Sequence, residues 1–353
     1  MAYIAAVSSS FPPYYYSQDE LIQVLQKYWE TGHRNTYRLE RIQRNTTVEG
    51  RYLVLPMDAY ERISGFGDSN RAWIEAALDL GEDAVCALLD KATLQARDIS
   101  YFTFTTVTGI AVPSIDARLM NRIPFPGNMK RNPLFGLGCL GGAAGIARVA
   151  DYLKGHPQQA AILLSIELCS LTLQRDDISI ENIVSSGLFG DGAGAVLMLG
   201  DEHPLVSHGQ PKVIDSRSTF FPQTEHIMGW DVRDSGLKVI LSADVAAVAE
   251  KELRPAIEAF LADHHLAIKD ITHWVSHPGG PKVIQAIEDG LGLDEDALAI
   301  TRRSLAEVGN ISSTSVLIIL QETLARRKPQ GGEYGLLMAM GPAFCAEFVL
   351  LKW

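Results

Sequence analysis

Cys139 sits in Phe135-Gly-Leu-Gly-Cys-Leu-Gly-Gly-Ala-Ala-Gly-Ile-Ala-Arg-Val-Ala-Asp-Tyr-Leu153, a glycine-rich turn leading into a small-residue apolar run of helical period. That pattern places a thiol at a helix N-terminus, where unpaired N–H groups and the positive dipole end favour thiolate, the reactive form. The small residues Gly138, Gly141, Gly142, Ala143 and Ala144 let the helix pack closely and leave room for a substrate beside the sulfur. A nucleophilic cysteine works with a base and a charge-stabilising donor, and two further segments offer them. In Ile271-Thr-His-Trp-Val-Ser-His277-Pro-Gly-Gly-Pro281 an apolar strand stops at His277, because Pro278 and the Gly-Gly-Pro after it cannot continue a ladder. In Glu307-Val-Gly-Asn310-Ile-Ser-Ser-Thr-Ser-Val-Leu-Ile-Ile-Leu320 an asparagine follows glycine at another helix start and offers its amide to an oxyanion. Each residue alone also reads as structure: a buried thiol among packing glycines, a core histidine bonded to backbone, an asparagine capping its helix. Three such residues, each at an element end, point together to cysteine-based catalysis.

The elements that must position them alternate. Ser17-Gln-Asp-Glu20 is a capping-box signature ahead of a helix through Leu21, Ile22, Val24 and Leu25, and a second helix runs through Trp73, Ile74, Ala77 and Leu80. Tyr101 to Val107 alternates as a strand; after the Cys139 helix come a strand from Ala160 to Leu168, a turn-rich excursion and a strand from Ala193 to Leu199. The stretch from Asp201 to Asp244 reads as polar and irregular. The plan then recurs with a helix near Val245 to Ala262, the His277 strand, the Asn310 helix and two closing strands, Tyr334 to Met340 and Phe344 to Leu351. In both halves a reactive residue preceded by glycine starts a helix, as a duplicated βα unit would leave it. The expected division is an N-terminal half, 1–200, carrying the cysteine, and a C-terminal half, 201–353, carrying the histidine and asparagine.

The 353 residues are 47% hydrophobic and 21% charged, enough for a large core. No apolar run is long enough to cross a bilayer and the N-terminus lacks a signal core, so a cytoplasmic enzyme is expected. Cys86, Cys139, Cys169 and Cys345 have no metal-finger spacing, which predicts free thiols and no metal. A formal net charge of −11 argues against nucleic acid, whose phosphates need an extended basic surface. An anionic ligand must find a local patch, and Arg38, Arg41 and Arg44 recur every third residue along one side of a predicted helix, in the geometry that suits phosphates.

Gly-Cys139-Leu-Gly-Gly, His277-Pro-Gly-Gly-Pro and Gly-Asn310-Ile-Ser-Ser resemble the Cys-His-Asn triad of the type III polyketide synthases, the chalcone synthase-like branch of the thiolase superfamily. Leu188-Phe-Gly-Asp-Gly-Ala-Gly-Ala195 is similar to that family's segment with an active-site phenylalanine, here Phe189, and Met340-Gly-Pro-Ala343 to its Gly-Pro loop, with alanine where glycine is usual. The resemblance spans nearly the whole chain. It implies an α/β fold, the five-layered αβαβα thiolase arrangement from two duplicated halves, as a homodimer without cofactor, using acyl-CoA and malonyl-CoA as substrates. It also implies that Arg38 and Arg41 grip the coenzyme A phosphates, with Arg44 compensating for Asn45 where a third basic residue is common. Thr172, Ser312, Gly341 and Pro342 fall at positions implied to contact substrate.

The same resemblance bears on the starter. Val239, in Gly236-Leu-Lys-Val239, replaces a second phenylalanine that narrows the channel; Cys169 is a wall position that is commonly cysteine in microbial members; Trp230 replaces a glycine on the cyclisation side. Together these resemble the microbial alkylpyrone and alkylresorcinol synthases, which load aliphatic acyl chains, although each residue also fits ordinary core packing. Malonyl-primed tetrahydroxynaphthalene or phloroglucinol synthases are the alternative, and the former often carry a further wall cysteine at a position matching Val112. An initiating ketoacyl-acyl carrier protein synthase shares the triad but would show a His-Gln-Ala-Asn-like motif in place of His277-Pro-Gly-Gly-Pro. A binding or scaffolding descendant would show a decayed triad. Gly190-Asp-Gly-Ala-Gly lacks the context of a dinucleotide loop.

Overall fold

The computed structural model describes residues 1–29 and 36–353, the side chains of 36–38 excepted. In chain order the elements are β1 (Ala2–Ser10), β2 (Tyr14–Ser17), α1 (Gln18–Trp29), α2 (Thr36–Arg44), β3 (Gly50–Leu53), α3 (Phe66–Ala92), β4 (Ile99–Thr106), α4 (Ile115–Leu119), β5 (Lys130–Phe135), α5 (Gly141–Lys154), β6 (Ala160–Leu168), α6 (Ile180–Leu188) and β7 (Asp191–Gly200). There follow β8 (Lys212–Phe220), β9 (Met228–Arg233), β10 (Gly236–Leu241), α7 (Val245–Ala262), β11 (Ile271–Ser276), α8 (Pro281–Leu291), α9 (Ala299–Val308), α10 (Ser312–Arg326), β12 (Tyr334–Gly341) and β13 (Cys345–Lys352).

Among the described residues nine strands join in the order β11-β12-β13-β8-β1-β7-β6-β4-β5. The β8–β1 join is only two residue pairs, Ala2 with Val213 and Tyr3 with Lys212, so two sheets meet there. In the first, β4 runs parallel to β6, while β6–β7 and β7–β1 are antiparallel. The second repeats this with β11–β12 parallel and β12–β13 and β13–β8 antiparallel. Identical pairing in identical chain order is the geometric trace of a duplicated unit.

Helices cover both outer faces and fill the space between. Trp73, Ala77 and Leu88 of α3 pack on Phe102, Ile162 and Leu197 of the first sheet. Ile146 and Val149 of α5 and Val316 and Leu320 of α10 share a core with Val196 and Val349, one residue from each sheet. Leu253 and Ile257 of α7 and Ile284 of α8 pack on Phe348 and Leu350. The result is five layers, αβαβα. β6 is buried along its whole length and α10 from Ser312 to Leu320, as elements covered on every side must be.

The glycines after Cys139 serve this packing. A Cβ on Gly142 would lie 2.2 Å from Ser313 O, and one on Gly145 2.4 Å from Leu163 Cδ1, so the N-terminal turns of α5 and α10 touch. The room expected beside the sulfur at these glycines is taken by helix packing. The Ser17–Glu20 capping box forms, with Ser17 N donating to Glu20 Oε2 at 2.8 Å and Glu20 N to Ser17 Oγ at 3.3 Å. The stretch 201–244, expected to be irregular, instead contains β8 and the β9–β10 hairpin. Helices α6, α8 and α9 also form where no helix was read. No helix among the described residues is long and apolar enough to cross a membrane.

Candidate active site

Three element ends converge. Cys139 occupies the middle of a single 3-10 turn, Gly138–Leu140, that runs directly into α5. Gly138 has φ of +52°, and a Cβ there would meet Pro342 Cδ at 2.4 Å, so the turn requires glycine on both counts. β11 ends at Ser276, yet His277 N still donates to Met338 O of β12 at 2.9 Å before Pro278 turns the chain away. Asn310 is tied to the segment holding Phe189: Asn310 N donates to Leu188 O at 2.9 Å and Gly190 N to Asn310 O at 3.0 Å. A Cβ on Gly309, whose φ is +73°, would lie 2.8 Å from Leu188 O, which is why glycine precedes the asparagine.

The side chains are oriented by bonds. Asn310 Oδ1 accepts from Ser312 N at 2.9 Å, which turns Nδ2 toward His277 Nε2 at 3.5 Å. With Nδ2 donating, Nε2 is the acceptor and the ring proton sits on Nδ1, which has no protein partner. Ser312 takes φ of +45° at the start of α10, and its Oγ donates to Cys139 Sγ at 3.5 Å.

The electrostatics differ from the sequence expectation of a stabilised thiolate. Burial pushes the Cys139 thiol up to about 12; the Ser312 bond opposes this and the nearby Glu167 carboxylate adds to it. The residue keeps a partial opening to the cavity, but the protein around the sulfur removes water that the helix end does not replace. Burial likewise lowers His277 to about 3, and the ring is 2% exposed. Both shifts run toward the neutral forms, thiol and imidazole. Glu167 itself is fully buried beneath the site, accepting from Val107 N at 3.0 Å, Thr108 Oγ1 at 2.8 Å and Ser313 Oγ.

Cys139, His277, Asn310, Phe189, Ser312 and Pro342 line one cavity. Cys169, Phe189, Trp230 and Val239 line both this cavity and a second, inner chamber, so the two lie side by side with these side chains between them. The free space in each is small, about 50 Å³ beside Cys139 and about 70 Å³ in the second chamber. Trp230 and Val239 are direct partners across the β9–β10 hairpin. Thr172 lines the inner chamber, its Oγ1 donating to Cys169 O at 2.8 Å.

Other expectations need correction. Val112 is 91% exposed and lines neither space. Gly341 is a packing residue: a Cβ there would lie 2.6 Å from Leu137 O, beneath the Cys139 turn. Arg44 is engaged by Asp19 at 2.7 Å and Glu40 at 2.8 Å, so it does not stand free to replace a missing phosphate ligand. Arg41 is exposed on α2, and the Arg38 side chain lies outside the described residues. Sequence reading missed Val107, Met228 and Val283 in the outer cavity and Leu21, Leu53 and Met57 in the inner chamber. These are ordinary apolar residues, and only the fold distinguishes them. Among the described residues no group of three or more His, Cys, Asp or Glu side chains is placed to hold a metal ion.

The layered, duplicated architecture is that of the thiolase superfamily. The chain belongs to the chalcone and stilbene synthase family, the type III polyketide synthases, which are acyltransferases: the family's N-terminal domain matches residues 1–202 and its C-terminal domain residues 212–353. It is 45% identical over 350 residues to a 1,3,6,8-tetrahydroxynaphthalene synthase of Streptomyces peucetius, covering 99% of this chain and 93% of that one. It is 36% identical to a Bacillus subtilis protein provisionally named chalcone synthase, covering 100% and 99%. The crystal structure of 1,3,6,8-tetrahydroxynaphthalene synthase from Streptomyces coelicolor, a bacterial type III polyketide synthase, superposes with a TM-score of 0.93 at 28% identity, covering 99% of each chain.

Proposed function

We propose that this synthase loads an aliphatic acyl-CoA starter on Cys139, extends it with malonyl-CoA by decarboxylative condensation, and closes the product to an alkylpyrone or alkylresorcinol. The observation that supports this reading is that the Cys139 cavity abuts a second chamber, with Cys169 and Val239 on the wall between them and Leu21, Val24, Leu25, Leu53 and Met57 as apolar lining beyond.

As Cys139 Sγ attacks the thioester carbonyl, its proton passes to His277 Nε2; the coenzyme A thiolate leaves and takes up that proton. Malonyl-CoA then loses carbon dioxide, and its electron pair becomes a thioester enolate held by N–H donors from Asn310 Nδ2 and His277 Nε2. Because no protein bond fixes a proton on His277 Nδ1, the ring is free to change tautomer and serve first as acceptor and then as donor at Nε2. The enolate carbon attacks the acyl-Cys139 carbonyl, releasing the thiolate and leaving a chain two carbons longer on coenzyme A. No base is needed at the malonyl carbon. Phe189, on the wall of both spaces, packs against the malonyl unit and excludes water.

The reading extends to a cytoplasmic homodimer working without metal or organic cofactor, with Arg38 and Arg41 of α2 meeting the coenzyme A phosphates. A second reading, malonyl priming to a tetrahydroxynaphthalene- or phloroglucinol-type product, is favoured by the name of the 45% identical relative. Incubating the purified protein with malonyl-CoA and an acyl-CoA series, with products identified by mass, separates the two. Products retaining alkyl starters support the first; products built from malonyl-CoA alone, whatever starter is added, overturn it in favour of the second.

A further inference from the structure

The β9–β10 hairpin supplies Trp230 and Val239 to the wall between the Cys139 cavity and the inner chamber, yet it stands apart from the large sheets as a two-stranded sheet of its own. A lone hairpin is marginal in water, so its position comes from its ties to the body of the protein. At the turn, Phe66 N donates to Asp234 O at 3.3 Å and Ser235 Oγ to Gln174 Oε1 at 2.6 Å. A further tie lies inward of the turn, where Lys238 Nζ meets Asp177 Oδ2 at 2.8 Å, the two side chains being 25% and 19% exposed.

Lys238 has a nearer candidate that it does not take. Asp231 is its neighbour across the hairpin, the usual partner for a strand cation, but Arg233 holds that carboxylate at 2.6 Å. Lys238 reaches off the hairpin instead. The carboxylate it meets is itself held: Asp177 Oδ1 accepts from Ser179 N at 2.9 Å, and Asn182 Nδ2 of α6 donates to Asp177 O at 2.6 Å and to Gln174 O at 2.8 Å. Gln174 and Asp177 therefore belong to one fixed segment, and the Ser235 and Lys238 ties both end on it. Burial alone would raise the Asp177 carboxyl, but the bonds from Lys238 and Ser179 hold it below its ordinary value. Successive strand residues point to opposite faces. Lys238 is held on the outer face, against a polar cavity with about 700 Å³ of free space, and this turns Val239 toward the Cys139 cavity and the inner chamber.

We propose that the Lys238–Asp177 ion pair is a latch that positions Val239 and Trp230 and thereby sets the chain-length selectivity of the synthase. Neither latch residue lines the Cys139 cavity or the inner chamber, so both act through the hairpin as positioning residues. The inference rests on the reading above only in taking the hairpin as a wall of the chain's path, and it holds for alkyl and malonyl starters alike.

Lys238→Met removes the charge and keeps the stem; Asp177→Asn keeps an oxygen for Ser179 N. In each variant, hydrogen exchange of the amides of 228–241 should rise about three- to fivefold. The spread of kcat/KM across an acyl-CoA series from acetyl to decanoyl, with malonyl-CoA as extender, should narrow by at least about threefold. Malonyl-CoA decarboxylation reads His277 and Asn310 and should stay at the wild-type rate, and Lys238→Arg, which keeps the charge, should restore the wild-type spread. Unchanged exchange in the hairpin or an unchanged spread overturns the proposal. So does a spread that narrows only together with decarboxylation, which marks general damage. Should neither variant fold, wild-type exchange in about 1 M salt, which screens the pair, takes their place: a rise confined to 228–241 supports the latch, and none overturns it. An enzyme that takes malonyl-CoA alone defeats the aliphatic starter reading but not this one. The lengths of its malonyl-derived products then decide, broadening in both variants if the latch positions the wall and unchanged if it does not.

Discussion

On the proposed function an alkyl chain on Cys139 runs past Val239 into the second chamber, and Val239→Phe is expected to obstruct it. Val239 and Trp230 face one another across the hairpin, and both border the outer cavity and the inner chamber. A ring added at 239 therefore crowds the boundary that the proposed chain crosses. Each methylene seated beyond the boundary is worth about 0.8 kcal/mol, so four of them contribute about 3 kcal/mol, a factor of roughly 200 in kcat/KM. An acetyl group occupies only the outer cavity. Val239→Phe is expected to lose about two orders of magnitude with decanoyl-CoA and less than about threefold with acetyl-CoA, with intermediate chains graded between them. The assay is product formation with malonyl-CoA across the acyl-CoA series, with Tm measured alongside to show that the variant is folded. Equal losses for acetyl and decanoyl starters would refute the crossing, since a general injury to the site has no reason to read chain length.

Asn310→Ala should still acylate at Cys139 but lose malonyl-CoA decarboxylation by about two to three orders of magnitude, the scale of one oxyanion donor; unchanged decarboxylation removes Asn310 from that role. His277 is held near 3 by burial and rises to an ordinary value on unfolding, so the unfolded chain binds the extra proton. Stability is accordingly full above about pH 6.5 and declines as pH falls from there toward about 3, by about 2 kcal/mol at pH 5. Urea midpoints at pH 7 and 5 should show a smaller loss in His277→Gln than in the wild type, and equal losses count against this. Ala343 sits at φ of +56°, a conformation that disfavours a Cβ, so Ala343→Gly should stabilise the chain by about 1 kcal/mol in urea unfolding; no gain means the loop relaxes the strain.

The convergence of Cys139, His277 and Asn310 was legible because glycine and proline mark the ends of the elements that carry them: Gly138 and Gly309 occupy positions that exclude a side chain, and Pro278 ends β11. The duplicated plan showed through the same punctuation. The inner chamber did not, because its wall is assembled from α1, β3, α6 and the β9–β10 hairpin, segments far apart in the chain whose apolar residues look like any core. The hairpin and β8 were hidden because β8 is largely half-buried, so its polar residues break the alternation that marks a strand. The burial that acts against a thiolate at Cys139 was hidden for a related reason. A helix end is local and visible in sequence, whereas the burial that opposes it comes from α10, β12 and Pro342, which pack on the Cys139 turn.

The claim on which the account turns is that Cys139 carries the acyl chain, and Cys169 on the same cavity wall makes the test exacting. The enzyme is mixed with hexanoyl-CoA without extender, quenched in acid, and the added mass is mapped by peptide mass spectrometry. The account predicts one hexanoyl group per chain, on the peptide containing Cys139, absent from Cys139→Ala and discharged when malonyl-CoA is added. A hexanoyl group found on Cys169, or condensation that persists in Cys139→Ala, would contradict it.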